Sequence, residues 1–99
     1  MRVEFAPRAL AQVRQIETWW RANRPAAVTL FSDELIRLLE RLAEGTAPGV
    51  RYPFGAFEVR RVLLPRSRYH VYYSIEREED LVKVRAVWHA ARGRGPALT

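Results

Sequence analysis

The period-two alternation in the last third of this chain narrows its fold more than any other feature. Residues 57–64, 69–76 and 81–89 each read as a strand, apolar on one side and polar or cationic on the other. Pro65–Arg68 and Arg77–Asp80 are short breaks between them, so the three predict an antiparallel meander. Phe57, Val59 and Leu63 form one apolar row. Tyr69, Val71, Tyr73 and Ile75 form the second, and Val82, Val84, Ala86 and Trp88 the third. The reverse side then carries Glu58 and Arg60, His70, Tyr72 and Ser74, and Lys83, Arg85, Val87 and His89. Arg61 falls on the apolar side, where it must snorkel at an edge or mark a bulge near Arg60-Arg61.

A sheet with one apolar side needs a cover, and the upstream sequence supplies it. Residues 2–5 are a short strand with Val3 and Phe5 on one side. Pro7 suits the first position of a helix over 7–23, in which Leu10, Val13, Ile16 and Trp20 recur at spacings of three and four. Asn23-Arg24-Pro25 ends it, and Pro25 opens a second helix over 25–44. There Val28, Phe31, Leu35, Leu38 and Leu42 make the stripe, and Gly45 suits the C-cap. The short link predicts an antiparallel helical hairpin. Residues 46–55, with two prolines and two glycines, predict an irregular connection. The expected class is α+β: a strand, a helical hairpin, then the meander packed on the hairpin, in a single domain over 1–99 with a basic tail at 90–99. No helix is left to lie on the reverse side of the sheet, so that side is expected to be open.

Composition fixes the partner chemistry. The net charge of +6 favours a polyanionic or acidic partner, and 48% hydrophobic residues exclude a disordered chain. Lys83 is the one lysine among 17 cationic residues; such a bias reflects either codon composition or the use of arginine forks to grip phosphates and carboxylates. There is no cysteine, hence no disulfide or zinc–thiolate site. No Gly-rich phosphate loop, Ser-His-Asp order or metal-spaced histidine pair occurs, so neither cofactor nor metal is expected. The charged, alternating N-terminus is neither a signal peptide nor a membrane span, which predicts a cytoplasmic protein.

Four groups of residues bear on function. The reverse sheet side gathers Arg60, His70, Tyr72, Lys83, Arg85 and His89. Such a face can receive an anion, and RNA cleavage without a metal needs this combination of proton-transfer groups and cations. It reads equally as a solvated face of cross-strand pairs or as a dock for an acidic peptide. The tail from Trp88 to Pro96, with His89, Arg92 and Arg94, suits a flexible grip on a target. Trp20 belongs to the core stripe, and Trp19 is expected at the core edge. The run from Glu76 to Asp80 reads as a solvated turn.

Val3-Glu4-Phe5 before Ala9-Leu10 and Ile16, Arg24-Pro25-Ala26-Ala27 before Phe31, Val59-Arg60-Arg61 before Tyr69-His70-Val71-Tyr72-Tyr73, and Val87-Trp88-His89-Ala90-Ala91-Arg92 follow one another in an order that resembles the RelE/ParE superfamily of bacterial toxins. The resemblance spans nearly the whole chain. It implies the toxin of a type II toxin–antitoxin system, which arrests growth, is neutralised by a cognate antitoxin, and reaches operator DNA only through that antitoxin. RelE-type members cut mRNA on the ribosome with Lys and Arg residues of the sheet and a C-terminal Tyr or His; ParE-type members poison DNA gyrase. Glu58 and Arg60 stand where RelE-like enzymes tend to place lysines, and no tyrosine follows Trp88, so the chain resembles ParE more closely. That implies target contacts by Arg60, Tyr72, Lys83, Arg85, His89, Arg92 and Arg94. The alternative, a ribosome-dependent endoribonuclease, implies catalysis by Arg60, Arg85 and His89, with His70 as a further candidate. A third reading is a module that binds its antitoxin and DNA without toxicity.

Overall fold

The computed structural model describes residues 1–93 and 95–98. Strand β1 (Arg2–Phe5) leads into helix α1 (Pro7–Asn23), a 3₁₀ turn (Pro25–Ala27) and helix α2 (Leu30–Ala43). Strands β2 (Val50–Arg51), β3 (Glu58–Leu64), β4 (Tyr69–Glu76) and β5 (Leu81–His89) follow, with a 3₁₀ turn at Arg77–Glu79. They form one five-stranded sheet in the order β1-β5-β4-β3-β2. β1 runs parallel to β5; the other pairings are antiparallel. This is the expected α+β arrangement, with β1 closing one edge and β2, a strand inside the supposedly irregular connection, closing the other.

The main core lies between the helices and one face of the sheet. Ala9, Val13, Ile16 and Trp20 of α1 and Phe31, Leu35, Leu38 and Leu42 of α2 are buried against Tyr69, Val71, Tyr73, Ile75, Val82 and Val84. Ala9 replaces Leu10 in the stripe; Leu10 is largely exposed. The second helix starts at Leu30 rather than at residue 25, because reversing direction between antiparallel helices consumes residues 24–29 and leaves Val28 exposed. The tight 3₁₀ turn suits that reversal better than an α-helical turn.

Two local events correct the expected faces. Residues paired across neighbouring strands share a side of the sheet. β3 pairs Arg60 with Tyr73, Arg61 with Tyr72 and Val62 with Val71. Glu58, Arg60, Val62 and Leu64 therefore face the helices, while Val59, Arg61 and Leu63 face the reverse side, the opposite of the sequence pattern. The cause is that this strand is apolar at both parities, and the close turn joining Leu64 to Tyr69 sets the register. In β5 the pairing jumps from Tyr73–Val84 to Tyr72–Ala86, leaving Arg85 as the extra residue of a β-bulge. Beyond it the alternation inverts. Val87 enters the helix-side core, while Ala86 and Trp88 turn to the reverse side. The backbone N–H of Val87 donates to Gln12 Oε1 of α1 at 2.8 Å, so a helix side chain satisfies an amide beside the bulge.

The reverse side is not open. Leu98, 4% exposed, folds back onto Val59, Tyr72 and Ala86, with Tyr52, Phe54 and Trp88 around it. A second, smaller core therefore occupies the middle of that face. Gly49 makes its loop possible: at φ 98° it packs where a Cβ would stand 2.4 Å from the Arg61 carbonyl oxygen. On the helix side, the Tyr73 hydroxyl donates to the Pro48 carbonyl. Burial pushes that phenol up to about 12, so it remains a donor across the ordinary pH range.

Candidate functional site

The expected cationic face is divided between the two sides of the sheet. On the reverse side, Arg85 donates from Nε to Ser74 Oγ at 2.8 Å and from Nη1 to the Leu98 carbonyl at 3.4 Å. Its guanidinium lies 4.8 Å from the Phe57 ring centre. Arg85 is thus a clamp between the bulge and the folded-back tail. Tyr72 is 2% exposed and packs edge-on to Tyr52, so it is a core residue and not a surface contact. Lys83 is half-buried opposite Ser74. Arg61, absent from the expected set, lies on this side over the Tyr52 ring. His70 also lies here. Burial, and then the charges of Arg61 and Arg68, push its pKa below the usual imidazole value, which favours the neutral ring.

Arg60 and His89 lie on the helix side. Arg60 stands opposite Tyr73, its Nε buried without a partner and its Nη2 3.9 Å from Glu58. Glu58 is held mainly by Arg77, which donates from Nε and Nη2 at 2.9 and 2.8 Å, and that pairing keeps its carboxyl below the usual range. His89 lies edge-on to Tyr69, and its Nδ1 accepts the Ala91 N–H at 3.1 Å. The two histidines are therefore on opposite faces, and Arg60 is separated by the sheet from Arg85. Arg94 lies outside the described residues.

The structure instead gathers cations in a groove of about 820 Å³ on the helix side, where α1, the β3–β4 turn and the segment after β5 meet. Arg24, Arg66, Arg68 and Arg92 line it with His89, Trp19 and Trp20. No carboxylate is among its described lining residues. Of these, only His89 and Arg92 are legible as site residues from sequence. Trp19 is 44% exposed rather than tucked at the core edge, with its ring against Trp20 and under Arg24. Arg92 lies 4.2 Å from the Trp88 ring centre.

A buried carboxylate outside the groove anchors the β3–β4 turn that lines it. Glu34 of α2 accepts the backbone N–H groups of Arg66 and Ser67 at 2.9 and 2.8 Å. Burial raises its pKa, but the contacts with Ser67 and Arg66 outweigh that and hold it below the usual range. The same turn is tied to the segment after β5 by Ala90 N–H donating to the Arg68 carbonyl at 2.8 Å. Arg68 takes a left-handed φ of 69°, a conformation costly for a residue with a Cβ.

A sequence model of the family described as the ParE toxin of type II toxin–antitoxin system, parDE, matches residues 3–93. This chain belongs to the ParE toxin family. It is a toxin of a type II toxin–antitoxin system, within the RelE/ParE superfamily. Among solved structures, it is similar to the chromosomal ParDE system from P. aeruginosa, with a TM-score of 0.69 at 13% identity, over 90% of this chain and 95% of that one. It is also similar to the isolated E. coli RelE toxin, with a TM-score of 0.62 at 22% identity, over 94% of this chain and 87% of that one. The intact E. coli RelBE toxin–antitoxin complex gives 0.62 at 22% identity, over 92% and 98%. No curated protein sequence matches. These likenesses place the ParE toxin chain in the shared fold, and no described helix in it is long and apolar enough to cross a membrane.

Proposed function

We propose that this toxin acts in the cytoplasm by inhibiting DNA gyrase and is neutralised by a cognate antitoxin. The observation that carries the reading is the dispersal of the candidate nuclease set. Acid–base cleavage needs its proton-transfer groups and phosphate-holding cations around one reacting centre. Arg60 and His89 face the helices, whereas Arg85 and His70 face the other way, and Arg85 is already engaged by Ser74 and Leu98. Target contact is then left to the cationic end of the molecule, through His89, Arg92 and Arg94. The family match supports the ParE side. An antitoxin partner is supported by the likeness to the P. aeruginosa ParDE system and the E. coli RelBE toxin–antitoxin complex. An acidic antitoxin segment suits a toxin of charge +6, and operator DNA is reached through that antitoxin.

Pulse-labelling of DNA and protein synthesis after induction in bacteria tests the proposal. DNA synthesis is expected to fall first, and replacing Arg92 and Arg94 with alanine is expected to relieve it. Ribosome-dependent mRNA cleavage is the second reading, favoured by Arg61, His70 and Arg85 sharing the reverse face. It gains if protein synthesis falls first and His70→Gln abolishes toxicity. Absence of any growth arrest leaves the binding-only module.

A further inference from the structure

The groove at the cationic end holds three arginines, Arg24, Arg66 and Arg68, beyond the residues proposed for target contact. Four arginines from three separate segments surround it; no salt bridge among the described residues holds any of them, and only Arg66 has a carboxylate, buried Glu34, acting on its charge. Holding four like charges around one concavity raises the free energy of the empty groove, and a polyanion inside it would reverse that cost. The segments bearing Arg66, Arg68 and Arg92 are tied to one another. Glu34 holds the turn bearing Arg66 and Arg68, and the bond from Ala90 to the Arg68 carbonyl holds that turn against the segment bearing Arg92. Arg68 keeps an arginine at a left-handed position that glycine or asparagine would occupy more cheaply. Strain of this kind, retained beside a cavity, points to use of the side chain.

We propose that this groove binds an oligophosphate, two or more linked phosphates carried on a nucleotide or free. A lone carboxylate satisfies one guanidinium fork, whereas linked phosphates present oxygens to several forks at once. The volume of about 820 Å³ lies within the range of small-molecule sites, roughly 300–1,000 Å³. Two further features fit such a ligand. Trp20 lines the groove, and its indole N–H is buried without an acceptor among the described residues. Trp19 offers an exposed aromatic surface at the rim, where a nucleobase can pack.

The test is calorimetric titration of the full chain with sodium tripolyphosphate, ATP and adenosine at one fixed ionic strength, with no target or antitoxin present. Its outcome is therefore independent of whether gyrase is the target. Saturable 1:1 binding of ATP or tripolyphosphate is expected. Arg66→Gln combined with Arg68→Asn should weaken it at least tenfold, and asparagine suits the left-handed φ at position 68. Should that variant fail to fold, Arg24→Gln with Arg92→Gln, which leaves the turn intact, should produce a comparable loss. Arg14→Ala, an exposed cation outside the groove, should change binding less than twofold. Weakening of ATP but not of tripolyphosphate by Trp19→Ala identifies a nucleotide as the ligand; equal affinities with no effect of Trp19→Ala identify a free oligophosphate. The proposal is overturned if neither anion binds saturably, if Arg14→Ala weakens binding as much as the groove variants, or if adenosine binds as tightly as ATP.

Discussion

The two faces of the sheet are stabilised by different means. The helix-side face is a continuous apolar core built from two helix stripes and three strands. The reverse face has a small aromatic cluster closed by one leucine from the tail and one arginine from the bulge. The first is held by regular elements that lose their packing only when a helix undocks. The second relies on Leu98 in a segment outside any helix or strand, whose anchoring is local and therefore opens at lower cost. In this chain the larger core therefore lies under the helices and the smaller one on the reverse face.

The comparison can be broken by substitutions on each side. Leu42→Ala, at a fully buried position, should cost about 2–5 kcal/mol in chemical denaturation. Glu34→Ala, which leaves two turn amides without their charged acceptor, should cost about 2–3 kcal/mol. Leu98→Ala should cost only about 1 kcal/mol, despite 4% exposure, because the irregular segment carrying it can detach instead of leaving a cavity. A loss at Leu98 equal to that at Leu42 would show the reverse cluster to be an integral core and would sink the contrast.

The smallest effect is in pH dependence. The pKa of His70 is depressed in the folded state, so the native protein resists a proton that the unfolded chain accepts. Its contribution is present above the unfolded value near 6.5 and is lost as pH falls toward and through the depressed folded value. His70→Gln should therefore flatten the fall in stability below pH 6.5, measured by urea midpoints. Glu34 and Glu58, whose carboxyls are held low, lose their contributions further down, below about 4.5. An unchanged slope between pH 6.5 and 5 in the His70 variant would show that burial of this ring has no energetic consequence.

Much of the architecture is legible in the chain. The stripe of Phe31, Leu35, Leu38 and Leu42 could belong only to a core-facing helix, and the apolar row of Tyr69, Val71, Tyr73 and Ile75 only to a strand facing that core, although the structure buries this strand's other face as well. The candidate site was less legible. His89 and Arg92 were visible from their position at the chain's cationic end, but Arg24, Arg66 and Arg68 sit in two connections distant in sequence. Glu34 carried one signal: a carboxylate one residue before Leu35, on the apolar side of its helix, needs a buried partner.

Local periodicity alone therefore determined the order of elements, the helical stripe and the cationic character of the chain's end, because these depend on neighbours three or four residues apart. The tertiary structure decided which side each arginine and histidine occupies. One extra residue at Arg85 inverts every side chain after it, and the register of β3 against β4 inverts the strand before them. Alternation fixes faces only within an unbroken ladder, and both changes of phase are set by cross-strand hydrogen bonding that no local pattern encodes.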